Sequence, residues 1–162
     1  MDEPVKELKI TRMFDAPIES VWRAWTDQSM IKMWWGPRGV TNPTCEWDAR
    51  PGGKINIVMQ AGTELGPMAG QKWPMGGTFK EVTPMSRLVY TSGALDDVKK
   101  MFIEQRVTVE FEALGAKTRM KLHIIVTNSR GDEMARNALR GMEMGFNQQT
   151  DKLGEFLQTI KG

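Results

Sequence analysis

Five stretches in the middle of the chain alternate apolar and polar residues with a period of two, and they constrain the fold more than any other feature. This pattern predicts strands that bury one face. The predicted strands cover residues 54–59, 77–82, 87–91, 103–112 and 117–126. Turn sequences rich in Gly and Pro separate several of them, and such short connections favour antiparallel neighbours. The sequence therefore predicts an antiparallel sheet.

A long amphipathic helix is predicted after these strands, with Ser129 as its N-cap and Asp132 at its third position. Gly141 and Gly145 interrupt it, and each costs about 1 kcal/mol relative to Ala in a helix interior. These glycines either let a strand approach closely or leave empty space beneath the helix. The apolar stripe recurs at helical spacing: Ala135, Ala138, Leu139, Met142, Phe146, Gln149, Leu153, Phe156 and Ile160.

The N-terminal part predicts one strand and two short helices. Residues 5–14 alternate like a strand, and Asp15 is predicted to cap a helix that has Pro17 at its first position. Trp22 and Trp25 fall on one face of this helix and are predicted to lie in the core. A second helix over residues 27–33 would lead to Trp34-Trp35, where Gly36-Pro37 ends it.

Residues 61–76 form the only long connection between predicted strands. This stretch is rich in Gly and Pro and contains Met68, Trp73 and Met75. Loops of this length in compact domains are often functional, so we expect a mobile cover over a binding site. The order strand, two helices, strands and long helix indicates an α+β fold with the helices on one side of the sheet.

Composition excludes several classes of function. The net charge is +2, from 22 basic and 20 acidic residues scattered along the chain, so no nucleic-acid partner and no membrane partner is predicted. The single Cys45 excludes an internal disulfide and a Cys-based zinc site, and we predict no metal and no cofactor. The acidic start lacks the basic region of a signal peptide, which predicts a cytoplasmic protein. No apolar run approaches the roughly 20 residues that span a bilayer.

No catalytic residue is predicted from the sequence. His123 is the only histidine, and strand alternation places it opposite the apolar set of Met120, Leu122 and Ile124. It is therefore interpreted as a solvated residue on the outer face of the sheet. With one His and one Cys, no nucleophile and base can be paired by spacing.

Several motifs resemble the START-like (SRPBCC) superfamily, and more closely its branch named after the activator of the heat-shock-protein-90 ATPase. The resemblance covers nearly the whole chain and implies a single START-like domain over residues 1–162. The motifs that carry it are Phe14-Asp15-Ala16-Pro17, Trp34-Trp35-Gly36-Pro37, Asp48-Ala49-Arg50-Pro51-Gly52-Gly53, Gly77-Thr78-Phe79-Lys80-Glu81-Val82 and Gly145-Phe146.

The resemblance implies a helix-grip fold, in which a curved antiparallel sheet wraps around the long C-terminal helix and two short helices follow the first strand. An apolar cavity between sheet and helix holds a lipid-like, polyketide-like or aromatic ligand in many relatives. This sequence departs from the branch at Phe146 and Thr150, where Trp and Leu are expected. Both replacements are smaller, which predicts more room beneath the helix. Trp34 is expected to pack with the short helices and Trp35 to face the cavity entrance, while a structural role for both stays open.

Residues predicted to face this cavity are mostly apolar and rich in methionine, which suits an adaptable pocket. Two of them are amides that interrupt apolar stripes, and a buried amide must find hydrogen-bond partners. Each amide either bonds its protein neighbours or orients a ligand. The predicted ligand-binding residues are Trp35, Met59, Trp73, Met75, Phe79, Gln105, Met120, Met142, Gly145, Phe146 and Gln149.

Three functions remain in consideration. The first is binding of a hydrophobic small molecule without covalent catalysis. The second, allowed by the wider superfamily, is an enzyme of the polyketide cyclase or dehydratase type, which would need an ionisable residue in the cavity. The third is a co-chaperone, and it is disfavoured because the chain has no room for the separate N-terminal domain of the eukaryotic activators. A homodimer is left open.

Overall fold

A seven-stranded antiparallel sheet wraps around a long C-terminal helix in the computed structural model, which describes residues 6–160. The strand order across the sheet is β1-β7-β6-β5-β4-β3-β2. The strands are β1 (Lys6–Phe14), β2 (Val40–Trp47), β3 (Lys54–Ala61), β4 (Lys72–Thr83), β5 (Arg87–Leu95), β6 (Met101–Leu114) and β7 (Lys117–Ser129). The helices are α1 (Ile18–Thr26), α2 (Gln28–Trp34) and α3 (Glu133–Thr159), with a short 3-10 helix at Thr63–Met68. The predicted helix-grip fold is confirmed.

Each of the five predicted strands in the middle of the chain lies within a longer observed strand, but β2 is an additional one. Its sequence contains Asn42 and Pro43, which are disfavoured in strands. Proline cannot donate to a strand ladder, but β2 lies at an edge of the sheet, where this loss is tolerated. The register with β3 shifts between Thr41 and Thr44, at the proline.

The predicted loop over residues 61–76 is wrong in part. The 3-10 helix occupies its first half, and β4 already begins at Lys72. Trp73 pairs with Met59 of β3, and Met75 pairs with Ile57. Cross-strand pairing of these large side chains extends the sheet into the segment, so Trp73 and Met75 belong to the sheet rather than to a mobile cover.

Glycines within the paired strands β4 and β5 allow the close backbone approach that a curved sheet requires. Gly76 pairs with Gly93, and Gly77 pairs with Ser92. A Cβ atom at Gly93 would lie 2.5 Å from the carbonyl oxygen of Ile103, and one at Gly77 would collide with the carbonyl oxygen of Thr91. Glycine in a strand interior marks such bends and close approaches.

The helix starts differ in detail from the sequence prediction. Pro17 is the N-cap of α1, without a side-chain capping bond, rather than its first residue. Asp132, not Ser129, caps α3, and its carboxylate accepts a 3.0 Å hydrogen bond from the Ala135 amide. Ser129 is instead the last residue of β7, which extends beyond the predicted strand end. The Ala135 amide also holds the pKa of Asp132 below its usual range.

Replacing a glycine by alanine should change the free energy of unfolding in opposite directions in the sheet and in α3. Gly77→Ala should lower the free energy of unfolding by about 1–3 kcal/mol, because the new methyl group forces the neighbouring backbone apart. Gly141→Ala should raise it by about 1 kcal/mol, since it improves helix propensity and its Cβ meets no heavy atom within 4 Å. Urea denaturation of both variants measures these changes. An equal loss in both would contradict this assignment.

Candidate ligand-binding cavity

A cavity of about 200 Å³ lies between α3 and the strands that face it. The residues that line it come from the turn after α2, from the strands β3, β4, β5 and β6, and from the first two thirds of α3. They are Trp35, Gly36, Pro37, Met59, Trp73, Pro74, Met75, Ser92, Gly93, Ala94, Ile103, Gln105, Ala138, Leu139, Met142, Gly145, Phe146 and Gln149.

The cavity is chemically neutral. None of its lining residues, all within the described 6–160, carries an ionisable side chain. Its polar side-chain groups are the hydroxyl of Ser92, the amides of Gln105 and Gln149, and the indole N–H groups of Trp35 and Trp73. A mostly apolar wall with a few polar groups is the usual composition of a small-molecule site.

An outer depression adjoins the cavity and shares Met59, Trp73 and Gly145 with it. Among the exposed large apolar side chains, Met68, Met134 and Met144 line this depression. Its charged residues, absent from the inner wall, are Arg38, Lys72, Asp96 and Asp97. The inner chamber is therefore apolar, and the charges lie only around its opening.

The adjacent Trp34 and Trp35 share an aromatic cluster but have different second roles. Trp34 is 1% exposed, and its indole donates a 3.1 Å hydrogen bond to the Ala24 carbonyl. It packs with the short helices, as predicted. Trp35 is 4% exposed, with its ring centroid 5.0 Å from that of Trp47, and it lines the cavity. Trp35 thus forms part of the inner wall rather than the entrance.

Gly141 and Gly145 of α3 leave empty space rather than admit a strand. A Cβ atom at Gly141 or Gly145 would meet no heavy atom within 4 Å outside the helix's own nearby backbone. Gly145 lines the cavity together with Phe146. Thr150, the second departure from the family pattern, is buried, and its hydroxyl bonds the Phe146 carbonyl at 2.7 Å without lining the cavity. The extra room therefore lies over Gly145 and Phe146.

Both predicted amides bond a protein neighbour and also line the cavity. The Oε1 atom of Gln149, a residue only 5% exposed, accepts a 2.9 Å hydrogen bond from the Gly36 amide. The Nε2 atom of Gln105 lies 3.4 Å from the Ser92 hydroxyl. Bonding to neighbours is therefore observed for both amides, and both also line the cavity, while the orientation of a ligand stays a prediction.

The turn of residues 35–38, called here the 35–38 turn, is bound along the C-terminal half of α3. The Lys152 ammonium donates to the carbonyl oxygens of Trp35 (3.2 Å), Gly36 (3.1 Å) and Pro37 (3.2 Å). Burial lowers the pKa of Lys152, and the nearby Arg38 guanidinium lowers it further. The Arg38 amide donates a 3.0 Å bond to the side chain of Gln148, the neighbour of Gln149.

Nine of the eleven predicted site residues line the cavity, and Phe79 and Met120 do not. Phe79 is 1% exposed and packs edge-on against Trp47, with ring centroids 5.0 Å apart. Met120 is fully buried, and its sulfur accepts a 3.3 Å hydrogen bond from the Trp25 indole. Strand alternation places a residue on a face but not at a position along the strand, so both were assigned to the wrong end of the inner face.

Ser92, Ala94 and Ile103 are cavity residues that sequence reasoning missed. Ser92 and Ala94 continue the alternation of Leu88 and Tyr90 on the inner face of β5, which is a signal the sequence contains. Their placement beside Gln105 and Ile103 depends on the β5–β6 register, in which Ser92 pairs with Gln105. That register is set by the folded sheet.

Other titratable groups lie away from the cavity. His123 is on the outer face of the sheet, as predicted, and its Nε2 atom lies 2.6 Å from the Glu7 carboxylate. This hydrogen bond lowers the pKa of Glu7. Burial raises the pKa of the Cys45 thiol and of the Tyr90 hydroxyl. Within residues 6–160, no group of three or more His, Cys, Asp or Glu side chains is arranged to hold a metal ion.

A family model described as activator of Hsp90 ATPase homolog 1-like protein matches residues 15–158. The chain belongs to this family. The match confirms the branch expected from the sequence motifs. No match was found among curated proteins. None of the helices within residues 6–160 combines the length and apolarity needed to cross a bilayer.

Solved structures with the same fold come from several bacteria. A protein from Nitrosomonas europaea is 27% identical over 95% of each chain, with a TM-score of 0.75. The AHSA1 protein from Silicibacter pomeroyi is 25% identical over 96% of this chain and 99% of its own, with a TM-score of 0.77. A protein from Arthrobacter aurescens is 25% identical over 94% of this chain and 86% of its own, with a TM-score of 0.78.

The bonds between Lys152 and the 35–38 turn predict a stability effect. Lys152→Met should lower the free energy of unfolding by about 1–3 kcal/mol, because three half-buried carbonyls lose a charged donor. Glu155→Gln, which weakens only the exposed ion pair with Arg38, should cost much less. Thermal or urea unfolding compares the two variants. A larger loss for Glu155→Gln would mean that the surface pair, not Lys152, holds the turn.

Proposed function

We propose that this protein binds a small hydrophobic or aromatic molecule in the cavity beneath α3 and catalyses no covalent step. The observation that carries the proposal is the apolar chamber, which has no ionisable lining residue. A cavity of about 150 Å³ with an apolar lining accommodates benzene in another protein. A chamber of about 200 Å³ therefore suits a ligand with a one-ring body, and the outer depression gives room for a longer substituent.

A cyclase or dehydratase is a weaker hypothesis for this cavity. Such chemistry moves protons, which requires an acid or base within hydrogen-bond reach of the substrate. The inner wall offers hydroxyl, amide and indole groups only. Lys152 lies close by in the fold, but its ammonium is bonded to three backbone carbonyls and does not line the chamber.

The family description names an activator of a chaperone ATPase, and a co-chaperone role would require a partner surface. The exposed methionines at positions 68, 134 and 144 lie around the outer depression. In that position they also suit passage of an apolar ligand into the chamber. Because the chamber itself is open, ligand binding accounts for more of the structure than a surface contact does.

Blocking the chamber should abolish binding of a neutral aromatic probe. In protein labelled with ¹³C at the methionine methyl groups, α-methylstyrene should shift the signals of Met59, Met75 and Met142, which line the cavity. Gly145→Trp should eliminate these shifts, because the new ring fills the open space beside Gly145. Methyl NMR titration measures both the shifts and the affinity.

Two controls accompany this titration. Met33 is 67% exposed and outside the cavity lining, so its methyl signal should not move with the probe. Glu143→Trp places the same ring on an exposed position of α3 that does not line the cavity, and it should leave binding intact. Wild-type protein whose cavity methyl signals stay fixed at saturating probe would contradict the proposed function.

A further inference from the structure

The orientation of the Gln149 amide is fixed by a backbone donor. The Gly36 N–H donates to the Gln149 side chain at 2.9 Å. An N–H group requires an acceptor, so the atom facing Gly36 must be the carbonyl oxygen of the amide. The Nε2 amino group is therefore the other end of this side chain, and its orientation does not depend on an arbitrary choice between the two atoms.

The Nε2 amino group of Gln149 is an unused donor on the cavity wall. It makes no hydrogen bond to residues 6–160, although Gln149 is 95% buried and lines the cavity. Within residues 6–160, the side-chain polar atoms sealed from solvent without a hydrogen-bond partner are Asn42 Oδ1 and Arg87 Nε. Gln149 Nε2 is not among them, so this atom keeps some accessible surface.

Trp35 supplies a second unused donor among the residues that line the cavity. The residue is 4% exposed and lines the cavity, and its indole N–H has no acceptor among residues 6–160. The indoles of Trp25, Trp34 and Trp47 each donate to a protein acceptor. Trp35 lines the cavity, so its N–H is available to a ligand there.

We propose that the cavity recognises a neutral molecule through one hydrogen-bond acceptor, a ketone or amide carbonyl, that receives the Gln149 Nε2 donor. The Trp35 N–H offers the second donor that a carbonyl oxygen with two lone pairs can accept. The apolar remainder of the molecule occupies the chamber between Met59, Met75 and Met142. This inference rests on the proposed function and narrows its ligand class.

The wall favours a neutral acceptor over an anion. No cationic side chain lines the inner chamber, whose lining lies within residues 6–160. A buried carboxylate without a charged partner has a large desolvation cost, whereas a neutral carbonyl needs only donors. The Lys152 ammonium does not change this, because it donates to the carbonyls of the 35–38 turn.

Three probes of similar size test the inference. Acetophenone carries a carbonyl, α-methylstyrene replaces that oxygen by a methylene group, and benzoate carries a charge. Their dissociation constants are measured by methionine-methyl NMR titration. Because the two neutral probes differ in their affinity for water, the informative quantity is the change of each constant between variants.

Gln149→Met removes the donor and keeps a chain of similar length. We expect acetophenone to bind about fivefold or more weakly to this variant, since it loses one net hydrogen bond. The affinity for α-methylstyrene should be unchanged or higher. Gln148→Met is the matched control: it also loses a bond to the 35–38 turn, but Gln148 does not line the inner chamber, so neither probe should respond.

A spectroscopic measurement on the wild-type protein avoids any effect of the substitution on folding. In protein labelled with ¹⁵N-glutamine, the side-chain amide protons of Gln149, assigned by their loss in Gln149→Met, should move downfield with acetophenone. They should not do so with α-methylstyrene. This shift reports a hydrogen bond to the ligand, which a purely structural role of Gln149 would not produce.

The outcomes separate the two proposals. If both neutral probes bind and Gln149→Met weakens them equally, or if the Gln149 amide protons do not respond to acetophenone, the acceptor inference is wrong while the binding function stands. Benzoate binding more tightly than acetophenone would overturn the preference for a neutral ligand. If neither neutral probe binds to the wild-type protein, the proposed function fails and the inference fails with it.

Discussion

The hydrogen bonds between the 35–38 turn and α3 decide where the core ends and the cavity begins. Gln148, Gln149, Lys152 and Glu155 span two turns of the helix and bind the backbone or side chains of this turn. They hold the C-terminal half of α3 against the short helices. Toward its N-terminus the helix presents Ala138 and Gly145 to the cavity, and these small residues leave the space above the curved sheet unfilled. The chamber is the volume left between this part of the helix and a sheet bent by its glycines.

The space between the sheet and α3 is filled at one end and open at the other, and different side chains line the two ends. This difference suits a binding protein. At the filled end, rigid indoles pack edge-on, as in the 4.9 Å contact between the rings of Trp25 and Trp34, and such rings define a single arrangement. At the open end the wall contains flexible methionines, which adapt to a ligand's shape. If the proposed ligand buries about 300 Å² of apolar surface there, this contributes roughly 7 kcal/mol before the cost of immobilising the ligand, so we expect a modest affinity.

Sequence periodicity predicted the elements that bury one face, including α3, the five strands from β3 to β7 and the core positions of Trp22 and Trp25. It missed β2, because Pro43 is tolerated only at a sheet edge and the strand order is a property of the folded chain. It placed Phe79 and Met120 on the correct face but not at the correct end. The pairing of Ser92 with Gln105 and the bond from Gly36 to Gln149 join distant parts of the sequence, so no local pattern contains them.

Gln149 shows why a structural and a ligand-binding role need not compete for one buried amide. A glutamine side chain has an acceptor end and a donor end, and burial requires a partner for both. Gly36 satisfies the acceptor end, and this bond removes the rotational freedom that the amide would otherwise lose when a ligand binds. The donor end is thereby held in place before the ligand arrives, which lowers the entropic cost of recognition. The hydrogen bond from Gly36 to Gln149 that fixes the 35–38 turn against α3 therefore also orients the Nε2 group that would donate to the ligand.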